Sequence, residues 1–225
     1  MDREALFFDF DGVLADSVEI KTKAYAKLYE QHGRQVQERV VDHHRAHGAM
    51  SRLDKFPLYH REFLGVELSQ EAIEDLSRRF SQIALEEVVR APEIPGAAAF
   101  LERCRPLPCF VVSATPIEEL REVCDRRGIT KYFREILGAP TRKPDMVRSV
   151  LSRYALHPGN CLLIGDAYGD WVAARDNGVP FAAILPGPDA PLLTKVPDAV
   201  WYSDFYALAK ALDIPLRSQG STRMR

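Results

Sequence analysis

Ala5-Leu6-Phe7-Phe8-Asp9-Phe10-Asp11-Gly12 is an apolar run that ends in two carboxylates and a glycine. Apolar residues in unbroken succession, rather than in alternation, suit a strand of a parallel sheet covered on both faces. The same pattern recurs downstream. Cys109-Phe110-Val111-Val112 ends at Ser113, Ile136-Leu137 is a weaker run, Cys161-Leu162-Leu163-Ile164 ends at Gly165-Asp166, and Phe181 to Leu185 is a fifth. Helical periodicity fills the gaps. Ile117, Leu120, Val123 and Cys124 share one face, with Thr115-Pro116 as N-cap and first helical position and Gly128 as the stop. Met146, Val147, Val150, Leu151 and Tyr154 repeat likewise between Lys143-Pro144 and His157-Pro158-Gly159. Alternating strands and helices predict an α/β fold, a Rossmann-like doubly wound parallel sheet with right-handed crossovers.

One stretch breaks the alternation. Between Asp16 and Ala91 the patterns are helical throughout: Ser17 to His32, Ser51 to Leu64, and a segment opening at Ser69 with Ile73, Leu76, Phe80, Ile83 and Ala84 on one face. Pro92 and Pro95-Gly96 mark the return. The expected organisation is an α/β core over 1–15 and 92–213, an inserted all-helical subdomain over 16–91, and a frayed, mildly basic tail over 214–225.

The bulk composition excludes several classes of function. With 225 residues, 46% hydrophobic and 28% charged, the chain suits a soluble core plus one insertion. A net charge of -2 supplies no field toward nucleic acid or anionic membrane, and no apolar run is long enough to span a bilayer. The start, Met1-Asp2-Arg3-Glu4, lacks the pattern of a signal peptide. Cys104, Cys109, Cys124 and Cys161 have no metal-ligand spacing and read as buried hydrophobes in a reducing compartment, the cytoplasm. Oligomeric state is left open.

In an open parallel sheet, ligands gather outside the carboxyl ends of the strands at the switch point. The predicted strand ends bring Asp9, Asp11, Ser113, Asp166 and Asp170 to one rim, and Lys143 opens a helix after the weak third strand. Four crowded carboxylates repel one another unless a cation joins them, and oxygen ligands with open positions for water and phosphate suit Mg²⁺.

Phe8-Asp9-Phe10-Asp11-Gly12-Val13-Leu14-Ala15-Asp16-Ser17 resembles the first signature motif of the haloacid dehalogenase superfamily. Val111-Val112-Ser113-Ala114-Thr115 resembles the second, Arg142-Lys143-Pro144 the third, and Gly165-Asp166-Ala167-Tyr168-Gly169-Asp170 the fourth. All four stand in the family's order, between about Ala5 and Leu185. The resemblance implies that Asp9 attacks phosphorus and forms an aspartyl phosphate, with Asp11 as general acid and then base. It implies Mg²⁺ held by the Asp9 carboxylate, the Asp11 backbone carbonyl and Asp166, with Asp170 in support. Lys143 would bridge nucleophile and phosphate; Ser113, with backbone groups near Gly12 and Ala114, would hold phosphoryl oxygens. An acid at position 11 separates phosphomonoester chemistry from the dehalogenase and phosphonate-cleaving branches.

A helical insert between the first and second motifs resembles the C1-type cap, found in phosphoglycolate phosphatases and β-phosphoglucomutase. The resemblance implies a Mg²⁺-dependent phosphatase acting on a small phosphorylated metabolite, a sugar phosphate or phospho-acid. Two alternatives remain: a phosphomutase, and a non-catalytic regulatory protein on the same fold. Within the insert, His43-His44-Arg45-Ala46-His47-Gly48-Ala49-Met50-Ser51-Arg52 is basic if its histidines are even partly charged. Arg52, with His47 or Lys55, is expected either to contact substrate or to lie on a solvated helix face capped by Ser51.

Overall fold

The computed structural model describes residues 3–216. Its centre is a six-stranded sheet of order β3-β2-β1-β4-β5-β6, parallel at every pairing. The strands are β1 (Ala5–Phe8), β2 (Cys109–Pro116), β3 (Glu135–Ala139), β4 (Cys161–Gly165), β5 (Phe181–Ile184) and β6 (Trp201–Tyr202). The chain winds outward from β1 to β3, then returns to the other side of β1 for β4 to β6, so the switch point lies between β1 and β4. β6 has no counterpart in the sequence reading. β2 also runs three residues beyond its expected end at Ser113, because its later residues still pair with β3, as Pro116 does with Ala139.

The continuous apolar runs divide by parity between the two faces of the sheet. Leu6, Phe8, Cys109, Val111, Leu162 and Ile164 enter one core with helices α5 (Ala97–Arg103), α6 (Ile117–Arg126) and α10 (Phe205–Ala211). Ala5, Phe7, Phe110, Val112, Cys161 and Leu163 enter the other, against α7 (Lys143–Arg153) and α8 (Tyr168–Asp176). α9 (Pro191–Lys195) packs against β5 through Leu192, which clusters with Ala183 and Leu185.

All regular structure between β1 and α5 is helical: α1 (Val18–Tyr29), α2 (Arg34–Ala46), α3 (Arg52–Tyr59) and α4 (Gln70–Arg90). Ser51 and Ser69 cap α3 and α4 by accepting from the backbone N–H groups of Leu53 and Ala72. A π-helical turn, His60–Leu64, follows α3 and stops at Gly65. These helices meet on a buried aromatic cluster in which Tyr25 lies 4.6 Å from Phe80 and 6.0 Å from Tyr59. The two crossings to the sheet run side by side, with Asp16 N–H donating to Pro92 O at 2.9 Å and Ala15 bridged to Glu93. Past α10, Ile214 is buried and Leu216 packs against the core; the remainder of the expected tail lies outside the described residues.

Candidate active site

Strand register builds the site. Phe8 pairs with Val111 on one side and Ile164 on the other, so Asp9 leaves the central strand level with Val112 and Gly165, and Ser113 and Asp166 follow one residue further along the two adjacent strands. The Asp9 N–H donates to Ile164 O at 2.9 Å, which carries the ladder one residue past β1. Lys143, at the start of α7, reaches Asp9 Oδ2 at 2.6 Å and Asp170 Oδ1 at 2.5 Å. The other Asp170 oxygen accepts from the Ala167 N–H at 3.0 Å. Two glycines permit this crowding. A Cβ on Gly165 would overlap the Asp170 side chain, and one on Gly12 would overlap the Asp166 carboxylate, where the backbone also takes a φ of +76°.

The electrostatics follow from burial. Asp9 is pushed up to about 7 by desolvation first and then by Asp170, with Lys143 opposing. Asp166 is raised well above the usual carboxylate range by desolvation, Asp9 and Asp170. Burial works against the Lys143 ammonium, but Asp170 and Asp9 outweigh it and raise the amine. Oxygens of Asp9, Asp166 and Asp170 lie within 4.8 Å of one another. One lysine does not neutralise three such carboxylates, and this all-oxygen set fits a hard divalent cation.

Asp11 sits differently. Its Oδ1 accepts from Ser17 Oγ at 2.6 Å; its Oδ2 accepts from Lys21 Nζ at 2.5 Å and Thr115 Oγ1 at 3.1 Å. Burial pushes this carboxyl up, but Lys21, Ser17 and Thr115 outweigh it and hold it below its ordinary range. Lys21 belongs to none of the four motifs, although it lies one helical turn beyond Ser17, on the same face. Thr115, expected as an N-cap, instead lies within β2 and turns its hydroxyl to Asp11; Pro116 precedes α6. Ser113 is buried at the rim and accepts from the Thr115 N–H at 3.2 Å.

A cavity of about 960 Å³ joins these groups to the helical insert. Asp9, Asp11, Gly12, Ser113, Ala114, Lys143 and Asp166 line its sheet side; Lys21, His44, His47, Arg52 and Lys55 line the helical side. Asp170 lies behind Lys143 and is fully buried. Arg52 is buried rather than solvated, and is committed to Glu119 on α6 and to Ser77 and Ser81 on α4. His43 and His44 add little positive charge to the 43–52 segment: burial pushes His43 down to about 4 and His44 to about 2. His47 is exposed, stacked on His43 at 4.0 Å.

The family model of haloacid dehalogenase-like hydrolases matches residues 4–178. The chain belongs to this family. A phosphorylated carbohydrates phosphatase of Thermotoga maritima is 26% identical over 188 residues, spanning 78% of this chain and 82% of the relative. A phosphoglycolate phosphatase of Agrobacterium fabrum is 35% identical over 104 residues, spanning 43% of this chain and only 44% of that relative. Among solved structures, β-phosphoglucomutase from Clostridium difficile superposes with a TM-score of 0.73 at 18% identity, covering 94% of this chain and 98% of that one. At that identity the likeness concerns the fold of this hydrolase alone. No described helix is long and apolar enough to cross a membrane.

Proposed function

We propose that this hydrolase is a Mg²⁺-dependent phosphomonoesterase that cleaves a small phosphorylated metabolite, a sugar phosphate or phospho-acid, through an aspartyl phosphate on Asp9. The observation that carries the reading is Asp9 at 2.6 Å from Lys143, beside Asp166 and Asp170, at the floor of a cavity large enough for a small metabolite. Asp9, Asp166 and the Asp11 backbone carbonyl would hold the metal, with Asp170 behind them. The ion would lower the repulsion between an anionic nucleophile and an anionic phosphate.

The side chains divide the remaining work. Asp9 attacks phosphorus while the P–O bond to the leaving alcohol breaks; water then cleaves the acyl phosphate and restores the carboxylate. Lys143 orients Asp9 and offers positive charge to the phosphoryl oxygens, and Ser113 donates its hydroxyl to them. Asp11 gives its proton to the leaving oxygen and later takes one from water. The first of these steps requires Asp11 protonated. Its grip by Ser17, Lys21 and Thr115 therefore loosens as substrate enters. The helical insert acts as a cap that excludes bulk water above the reacting atoms. Four cysteines without disulfide partners, all buried, suit a reducing cytoplasmic setting.

Phosphate release across a panel of phosphorylated metabolites, with Mg²⁺ and with chelator, tests this reading. The wild type turns over at least one member, and Asp9→Asn and chelator each abolish release. Release that survives Asp9→Asn would remove the covalent mechanism, and silence of the folded wild type would remove the hydrolase reading.

A further inference from the structure

Lys55 is a buried lysine with no anionic partner among the described residues. It is 1% exposed, on a helical element lining the same cavity that Asp9 lines. Among the described residues no carboxylate lies within salt-bridge distance of it. Its one hydrogen-bond partner among them is His44 Nδ1 at 2.8 Å, and its Nζ lies 5.5 Å from the centre of the Tyr25 ring.

The hydrogen-bond inventory sharpens the point. An ammonium at Lys55 donates to His44 Nδ1, which fixes the proton of the neutral imidazole on Nε2. His44 Nε2 is buried and has no partner among the described residues. Lys55 keeps two further N–H donors and His44 keeps one, so three donors gather without an acceptor. Desolvation accordingly favours the free amine, which is pushed down to about 7. Native interiors rarely leave such groups unmet unless a ligand meets them.

We propose that Lys55, seated by His44 and Tyr25, binds a second anionic group of the substrate, a carboxylate or a second phosphoryl, at the end remote from Asp9. This inference rests on the phosphomonoesterase reading for the reacting end. The preferred substrates are then doubly anionic, phospho-acids or bisphosphates, rather than phosphorylated polyols with a neutral far end. Arg52 is a weaker candidate for the same task because Glu119 already answers its charge at 2.5 Å. Lys21 is likewise answered by Asp11.

Two matched pairs of esters test the proposal and separate the two sources of anion. 6-Phosphogluconate and sorbitol 6-phosphate differ by a carboxylate against a hydroxymethyl group; fructose 1,6-bisphosphate and fructose 6-phosphate differ by a second phosphoryl. In at least one pair the wild-type kcat/KM should favour the anionic member by about 30-fold or more, the scale of a desolvated charge contact. Lys55→Met should bring that ratio toward unity, with Lys55→Gln as a second variant should the first fold poorly. The pair that shows the effect identifies the anion. Calorimetric titration of the same pairs into Asp9→Asn and Asp9→Asn/Lys55→Met reads the subsite without turnover. Lys55-dependent affinity with no phosphate release from the wild type upholds the subsite and removes the hydrolase reading. Equal treatment of both members in both pairs, or a preference that survives both Lys55 variants, overturns the subsite even where phosphate is released.

Discussion

Arg52 on α3 and Glu119 on α6 form an ion pair of 2.5 Å with side chains only 5% and 6% exposed. The pair joins the helical insert to the sheet side of the molecule. Ser77 and Ser81 accept further guanidinium bonds at 2.9 Å each, and Ser81 also donates to the Glu119 carboxylate. Removing one partner leaves the other charge buried and unanswered, which costs about 3–5 kcal/mol. Glu119→Ala should therefore destabilise the protein by about 3 kcal/mol in urea titration. The double variant Arg52→Met/Glu119→Leu should recover most of that loss, because it removes both desolvated charges. A double variant no more stable than Glu119→Ala would show that the surrounding packing, rather than the charge pair, holds the insert in place.

Gly12 carries two constraints at once. Its left-handed backbone disfavours any side chain by about 1–2 kcal/mol, and a Cβ would displace the Asp166 carboxylate. Gly12→Ala should lower stability by that amount and also raise the Mg²⁺ concentration needed for half-maximal phosphate release. Wild-type metal dependence in a Gly12→Ala protein of reduced stability would mean that Asp166 is positioned independently of this turn.

The proposed role of Asp166 as a metal ligand can be tested apart from folding. Burial and its acidic neighbours raise its carboxyl well above the usual carboxylate range, which disfavours the charged form, so Asp166→Asn, a neutral replacement of similar shape, should scarcely change the melting temperature of the metal-free protein. Mg²⁺ should stabilise the wild type, by about 2.7 kcal/mol at a hundredfold excess over Kd, and stabilise Asp166→Asn less. Half-saturation for activity should rise about 10-fold or more. Equal thermal shifts in both proteins would place the ion away from Asp166.

The strands that sequence made legible are those buried on both faces. β1, β2, β4 and β5 are short apolar runs with polar ends, and their register brings Asp9, Ser113 and Asp166 together as strand-end reasoning requires. β6 escaped because two half-buried residues, Trp201 and Tyr202, make no pattern. α2 escaped because only Val40 and His44 of its thirteen residues are buried, too few to mark an apolar stripe. In the sequence Glu119 is one charge among several near the start of a helix; what singles it out is Arg52, 67 positions earlier, which only tertiary packing supplies. Lys55 was visible as a candidate, but its lack of an acidic partner is a property of the fold.

Lys55 also predicts a pH dependence whose sign can be worked out. Burial, and secondarily Lys21, push its amine down to about 7, with Asp11 opposing; in the unfolded chain the ordinary value is about 10.4. Between those two values the unfolded chain holds more protons than the folded one, so folding stability rises with pH across the window. Below about pH 7 the full penalty of a buried ammonium is present, and above the unfolded value it is gone. His44 does not share the titration, because burial holds it down to about 2. Lys55→Met, which buries a thioether of similar length, should then exceed the wild type in stability by about 2–4 kcal/mol at pH 6. That advantage should shrink steadily toward pH 10. Urea midpoints for the two proteins at pH 6, 8 and 9.5 give the comparison directly, with other titrating groups cancelling between them. A constant difference across the three would mean that Lys55 keeps an ordinary amine in the folded state, already neutralised by its surroundings. A second anion bound beside Lys55 should act in the opposite sense, drawing the amine back toward its charged form and shrinking the advantage of Lys55→Met at pH 6.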